Sequence, residues 1–107
     1  MVNLSLDLDE PRARIRATGY LNRQAGENLS ALLRDLGRMD IVDLELDLSQ
    51  CSPVCVGALE VLLDCKFRLA GEGVRVVFSK PKPTVSKVFQ IMGLRPDGEV
   101  TAPRADE

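Results

Sequence analysis

The residues best suited to chemistry lie in one stretch, Leu44 to Leu59, which contains two acids, two serines and two cysteines. Asp47 could be a catalytic or Mg²⁺-binding carboxylate, because hard cations favour oxygen ligands. Cys55 could be a reactive thiolate if the positive end of a helix dipole lies beside it. The favoured interpretations are structural: Asp47 stabilises a turn, and Cys55 packs as a small apolar side chain.

The amino-acid composition argues against most catalytic classes. The chain has no histidine, which removes the commonest metal ligand and the usual partner of catalytic serines and cysteines. Cys51, Cys55 and Cys65 form no CxxC pair and are typical of reduced, packed thiols. Gly57 is isolated. Gly71 and Gly73 follow the end of a helix, whereas anions bind at the start of a helix. We therefore expect neither an enzyme nor a cofactor or metal.

Charge and hydropathy favour a protein partner over nucleic acid or lipid. The 14 basic and 16 acidic residues are mixed along the chain and give a net charge of -2, without a basic surface. The cluster of Lys80, Lys82 and Lys87 is interpreted as solvated. No segment approaches the roughly 20 apolar residues of a membrane span, and no signal-peptide pattern opens the chain. We expect a cytoplasmic protein that neither binds nucleic acid nor inserts into a membrane.

The hydrophobic pattern predicts one α/β domain over residues 1–107, with a core from about 3 to 101 and a flexible tail at 102–107. Strands are predicted at Asn3 to Leu8, Ala13 to Thr18, Val42 to Leu48, Val74 to Phe78 and Glu99 to Ala102. Helices are predicted from Asn22 to Gly37, Val54 to Leu69 and Val85 to Met92, with a polar turn from Ser49 to Pro53. The order β-β-α-β-α-β-α-β predicts a mixed, mostly parallel sheet of four to five strands with helices mainly on one face.

Several short motifs occur in a characteristic order. They are Gly19, Leu46-Asp47-Leu48-Ser49, Leu69-Ala70-Gly71, Val74 to Phe78, Pro83 and Met92-Gly93-Leu94. Their order and spacing, from Leu4 to Val100, resemble a STAS domain, the fold of bacterial anti-sigma factor antagonists, stressosome scaffold proteins and sulfate-transporter tails. The resemblance implies a STAS-like fold and a role in bacterial signal transduction or transcription regulation through protein-protein interaction.

The family's phosphorylation motif departs from its pattern in this chain. In the family, an acid and a hydroxyl residue follow the Asp-Leu-Ser segment, and a partner kinase phosphorylates the hydroxyl. Counted forward from Asp47, these positions fall on Cys55 and Val56. Valine has no oxygen to accept a phosphoryl group, so the resemblance implies that the usual phosphoswitch is absent. Ser52 is a less favoured, displaced acceptor, since serine before proline is typical of a turn.

The second predicted helix carries a possible partner surface. Val56, Leu63 and Phe67 recur at i, i+7 and i+11, close in angle to Glu60. We expect these three apolar residues to be at least partly exposed. Together with Ser52 and Glu60 they form either a protein interface or a surface that neighbouring helices cover, and both interpretations stay open. In the family the corresponding surface contacts the partner kinase.

Three functions follow from these observations. The first is a non-catalytic STAS regulator or scaffold that binds an anti-sigma kinase or another STAS protein. The alternative is an accessory STAS subunit of a lipid-transport ABC ATPase, docking through the same helix. The third, a nucleotide-binding protein or enzyme, lacks an identifiable site. The oligomeric state is left open, with a homodimer as one possibility.

Overall fold

The computed structural model describes residues 2–99 as a four-stranded sheet with three helices. The strands are β1 (Val2–Asp9), β2 (Arg12–Leu21), β3 (Asp43–Val54) and β4 (Arg75–Ser79), and the helices are α1 (Arg23–Gly37), α2 (Val56–Ala70) and α3 (Pro83–Ile91). In the order β1-β2-β3-β4, the first pair is antiparallel and the other two are parallel. The α/β class and the mixed, mostly parallel sheet are confirmed. A last strand was predicted from Glu99 to Ala102. Glu99 is not part of a strand, and residues 100–102 lie outside the described residues.

The sheet has one apolar and one charged face, because side chains alternate along each strand. Ile15, Leu46 and Phe78 lie side by side on the apolar face and are almost fully buried. They belong to one core with buried residues of all three helices, and the rings of Phe78 and Phe89 pack 5.3 Å apart, centroid to centroid. The helices therefore cover one face, as expected.

Helix α1 begins and ends where the sequence predicts. The side chain of Asn22 accepts a hydrogen bond from the backbone N–H of Ala25 at 2.8 Å, which satisfies one free donor of the first turn. The helix ends at Gly37. Its buried side packs on the sheet and on α2, so α1 fixes the position of the second helix.

The predicted turn from Ser49 to Pro53 is wrong. Strand β3 continues to Val54, because β2 also continues past Gly19, to Leu21, and provides backbone partners for it. Gly19 does not end β2 but adopts φ 107° beside a register shift, a conformation that glycine accepts without strain. Residue types that favour turns are thus held in a strand by a longer neighbour.

The close packing of α1 on α2 requires a glycine at Gly26. A Cβ atom there would lie 2.9 Å from the Cα of Ala58 and 3.0 Å from its Cβ. We predict that Gly26→Ala lowers the free energy of unfolding by about 1 kcal/mol, because overpacking costs about 1–3 kcal/mol and helix propensity returns at most about 1 kcal/mol. Urea unfolding followed by circular dichroism measures this difference.

Gly71→Ala is the matched control. Gly71 has an ordinary helical φ of -65°, and an added Cβ would meet no atom closer than 3.4 Å. The control variant should be as stable as the wild type. Equal stability of Gly26→Ala and Gly71→Ala would contradict the packing argument.

Candidate functional site

The candidate site is the junction between β3 and α2. Cys55 is the single residue between the two elements, and its backbone N–H donates to the carbonyl of Leu21 at 2.8 Å. Its own carbonyl accepts from the N–H groups of Ala58 and Leu59 at 3.1 and 3.3 Å. The backbone at the start of α2 is therefore fixed by the end of β2. The Cys55 side chain caps no backbone group and packs against the core.

Three predicted interface residues are exposed at this junction. Val56 is the first residue of α2 and is 51% exposed, and Ser52 and Glu60 are also exposed. We call Ser52, Val56 and Glu60 the junction surface. Its apolar centre has polar neighbours on the preceding strand and on the next helical turn. The geometry allows binding, whereas the valine side chain offers no group for chemistry.

The predicted exposure of Leu63 is wrong, since this residue is 3% exposed and belongs to the core. The buried side of α2 is wider than one stripe because the helix packs against two neighbours. Cys65 Sγ lies 3.6 Å from the carbonyl of Ser30 in α1, and Lys66 contacts β4. Phe67 is 42% exposed. It lies about 16 Å from Val56 along the helix axis, since each residue adds 1.5 Å, and Leu63 between them is buried. Val56, Leu63 and Phe67 therefore do not form one continuous exposed apolar surface.

Lys66 is a buried cation that sequence reasoning missed. Its Nζ donates to the carbonyl of Val76, lies 3.1 and 3.2 Å from the two carboxylate oxygens of Glu99, and sits 5.9 Å from the centroid of the Phe78 ring. These contacts give the buried charge its partners. The sequence did contain an indication of this burial, because Lys66 lies within the apolar pattern of α2. Lys66 thereby joins the Glu99 side chain to α2 and β4.

Asp47 is held in an ion-pair network on the charged face of the sheet. Its side chain is 2% exposed, and one carboxylate oxygen lies 3.3 Å from Arg14 and 3.4 Å from Arg16 of β2. The other oxygen accepts from the backbone N–H of Ser49 at 2.9 Å. Both oxygens are therefore occupied by the protein itself. This arrangement describes a structural carboxylate.

The same contacts determine how Asp47 titrates. Burial on its own would raise the pKa of this carboxyl, but the hydrogen bonds from Ser49 and the charges of Arg16 and Arg14 outweigh burial and lower the pKa below its usual value. A lowered pKa in the folded state adds stability above the unfolded pKa. That stability is lost as the pH falls through the folded pKa.

We predict that Asp47→Asn lowers the free energy of unfolding at pH 7 by about 1.5–3 kcal/mol, the usual contribution of hydrogen bonds to a charged group. The difference from the wild type should shrink as the pH falls below the unfolded pKa of about 3.9. Urea unfolding at several pH values measures both effects. Glu45→Gln is the control, because Glu45 is 42% exposed in its pair with Arg14 and should change stability by less than about 1 kcal/mol. A difference for Asp47→Asn that does not depend on pH would contradict the network.

The other candidate groups have structural surroundings. Burial raises the pKa of the Cys51 thiol, although the Lys82 charge acts in the opposite direction, and Cys51 Sγ donates to the carbonyl of Ala17 at 3.4 Å. Lys82 donates to the carbonyl of Cys51 at 2.8 Å, whereas Lys80 and Lys87 are exposed. The basic cluster is thus divided between one residue bound to β3 and two on the surface.

Two further findings concern the described residues, 2–99. No helix there combines the length and hydropathy needed to cross a bilayer. The same part of the chain holds no group of three or more cysteine, histidine or acidic side chains arranged for a metal ion.

The hairpin, the parallel crossovers and the strand-to-helix junction define an α/β domain of the STAS type. The family model described as "Mlab, STAS domain" matches residues 4–96, so the chain belongs to the STAS-domain family. The predicted resemblance to this family is therefore confirmed. This membership supports a regulatory role in general terms. Comparison with curated proteins gives no significant match.

Several solved structures share the fold. SpoIIAA of Bacillus in its phosphorylated form has a TM-score of 0.73 and 21% identity, over 97% of this chain and 94% of that one. An anti-sigma factor antagonist from Mycobacterium paratuberculosis has a TM-score of 0.70 and 18% identity, over 99% and 89%. The structure of Mglu has a TM-score of 0.66 and 22% identity, covering 74% of this chain but only 20% of that longer chain. At these identities the likeness shows the fold alone.

Proposed function

We propose that this chain is a non-catalytic STAS regulator that binds a protein partner through the junction surface and has no Ser/Thr phosphoswitch there. One observation carries the proposal: Val56, the first residue of α2, presents a half-exposed apolar side chain. The proposal takes Val56 as the position of the family's phosphorylated hydroxyl residue, from the motif count forward from Asp47. Since valine cannot accept a phosphoryl group, binding is constitutive or is controlled through the partner.

The physical character of the junction supports docking. The N–H of Cys55 donates to the Leu21 carbonyl, and the Cys55 carbonyl accepts from the first turn of α2. These hydrogen bonds already hold the backbone, so a partner loses little free energy in ordering it. Val56 provides an apolar centre, while Ser52 and Glu60 provide polar neighbours, the arrangement common in protein interfaces. The small size of this surface fits a regulatory, reversible contact.

The proposed partner is an anti-sigma kinase or another STAS protein in a bacterial cytoplasmic signalling pathway that regulates transcription. The likeness of the fold to anti-sigma factor antagonists supports this class of partner. Phe67 is a separate exposed residue three helical turns away, and it takes part only if the partner also extends along α2.

We predict that Val56→Glu abolishes recovery of the partner in affinity purification followed by mass spectrometry, because it places a charge at the centre of the contact. Val42→Glu is a matched control: Val42 is 46% exposed, but it precedes β3, at the opposite end of that strand from the junction. The wild type and Val42→Glu should recover the same partner. Undiminished recovery by Val56→Glu, with both variants folded by circular dichroism, would exclude the junction surface.

The same purification separates the alternative partner. A lipid-transport ABC transporter would place its ATPase subunit on this surface, with the chain as an accessory subunit. Enrichment of an ATPase by the wild type and by Val42→Glu, but not by Val56→Glu, would assign the chain to a transporter. Enrichment of a kinase or a STAS protein with the same pattern would assign it to signalling.

A ligand screen tests the non-catalytic part of the proposal. We predict that ATP or GTP with Mg²⁺ leaves the melting temperature in a thermal-shift assay unchanged. A ligand present at 100 times its Kd would stabilise the folded chain by about 2.7 kcal/mol, enough to raise the melting temperature by several degrees. Such a rise would favour a nucleotide-binding protein instead.

A further inference from the structure

Three exposed leucines lie on the same face of the edge strand β1. Leu4, Leu6 and Leu8 are 44%, 41% and 51% exposed. Their directly paired neighbours on β2, which lie on the same face of the sheet, are at most 4% exposed. Within residues 2–99, the helices that cover β2 therefore leave this face of β1 open. Long exposed edges with apolar side chains are surfaces that proteins pair or cover.

The other face of β1 is polar, and its charge is uneven along the strand. Asp7 and Asp9 lie opposite arginines of β2 in the second half of the strand, whereas Asn3 and Ser5 occupy the first half. Any strand that pairs with the free edge of β1 must place apolar side chains against the leucines. It must also keep its own acids away from Asp7 and Asp9.

We propose that the free edge of β1 pairs antiparallel with β1 of a second copy of this chain, about a two-fold axis at Leu6. Each β1 then continues the other sheet, and the dimer contains one eight-stranded sheet. Leu6 faces Leu6 of the second copy, and Leu4 faces its Leu8. The three leucines of each copy form one apolar row on the side of the helices.

The charges select this register. With the axis at Leu6, Ser5 faces Asp7 of the second copy and Asn3 faces its Asp9, so no acid opposes an acid. An axis at Asp7 would place two Asp7 carboxylates opposite each other, which is destabilising. An axis at Ser5 would place Leu8, the most exposed of the three leucines, against Val2, which already packs on the core. The axis at Leu6 alone pairs every leucine with a leucine.

The interface is small, so the dimer should be weak and depend on concentration. Each copy contributes one strand edge and three partly exposed leucines, less than the roughly 800 Å² per partner of a standard stable interface. Edge pairing adds backbone hydrogen bonds between the two β1 strands. Sedimentation equilibrium over a wide range of concentrations should show monomer and dimer and no larger species.

Substitutions at Ser5 test the charge pattern. Ser5→Lys should tighten the dimer and Ser5→Asp should weaken it, each by about tenfold in Kd, because two symmetric contacts with Asp7 of the second copy change together. Within one chain Ser5 lies opposite Arg16, so the effects on monomer stability have the opposite sign. The proposal would be overturned if the dimer Kd changed in the direction of monomer stability, or if neither substitution changed the Kd.

Cysteine cross-linking tests the axis. In a Cys55→Ser background, which leaves only the buried Cys51 and Cys65, mild oxidation should join two Leu6→Cys chains through a disulfide with loss of both thiol protons. Leu8→Cys is the matched control, because the two substituted residues would lie four positions apart along the paired strands, beyond the roughly 7 Å limit for Cα atoms.

Ser5→Cys should also stay unlinked, since an efficient cross-link there would place the axis at Ser5. Equal cross-linking of Leu6→Cys and Leu8→Cys would indicate random collision. That result would overturn the proposal, as would a chain that is monomeric at every concentration or one that forms species larger than a dimer.

Discussion

The parallel pairing of β2 with β3 is the constraint on which the rest of the structure depends. It places Ile15 beside Leu46 on the face that the helices cover, and Arg16 beside Asp47 on the opposite face. A register error would bury the charges and expose the core, and the buried Asp47 carboxylate adds a penalty because its arginine partners come from β2. The same pairing extends to Leu21, whose carbonyl binds the N–H of Cys55 and so sets where α2 begins.

The candidate site is thus a product of sheet geometry with little reactive chemistry of its own. The Asp47 carboxylate has both oxygens occupied, Cys51 is buried with a raised pKa, and the exposed residue at the start of α2 is a valine. A fixed backbone with an apolar side chain is suited to recognition by another protein. Membership of the STAS family and the geometry of the junction therefore favour the same kind of function.

Sequence patterns predicted the elements wherever local signals and tertiary packing agree. The hairpin alternation, the cap at Asn22 and the helix end at Gly37 are of this kind. The prediction failed where a neighbour decides the outcome: β2 holds turn-forming residues in β3, and two packing partners widen the buried side of α2 to include Leu63. Lys66 was missed because its burial depends on a carbonyl and a carboxylate that are distant in sequence.

The two outer strands of the sheet are unequal. On β4, the carbonyl of Val76 already accepts from Lys66, and the segment before Glu99 brings Gly98 so close to Phe78 that an added Cβ would lie 3.0 Å from its ring. On β1, the leucine row is open. If two β1 strands pair as proposed, each copy has used its free β1 edge. A third copy then finds no β1 edge to join, so assembly through this edge stops at two chains.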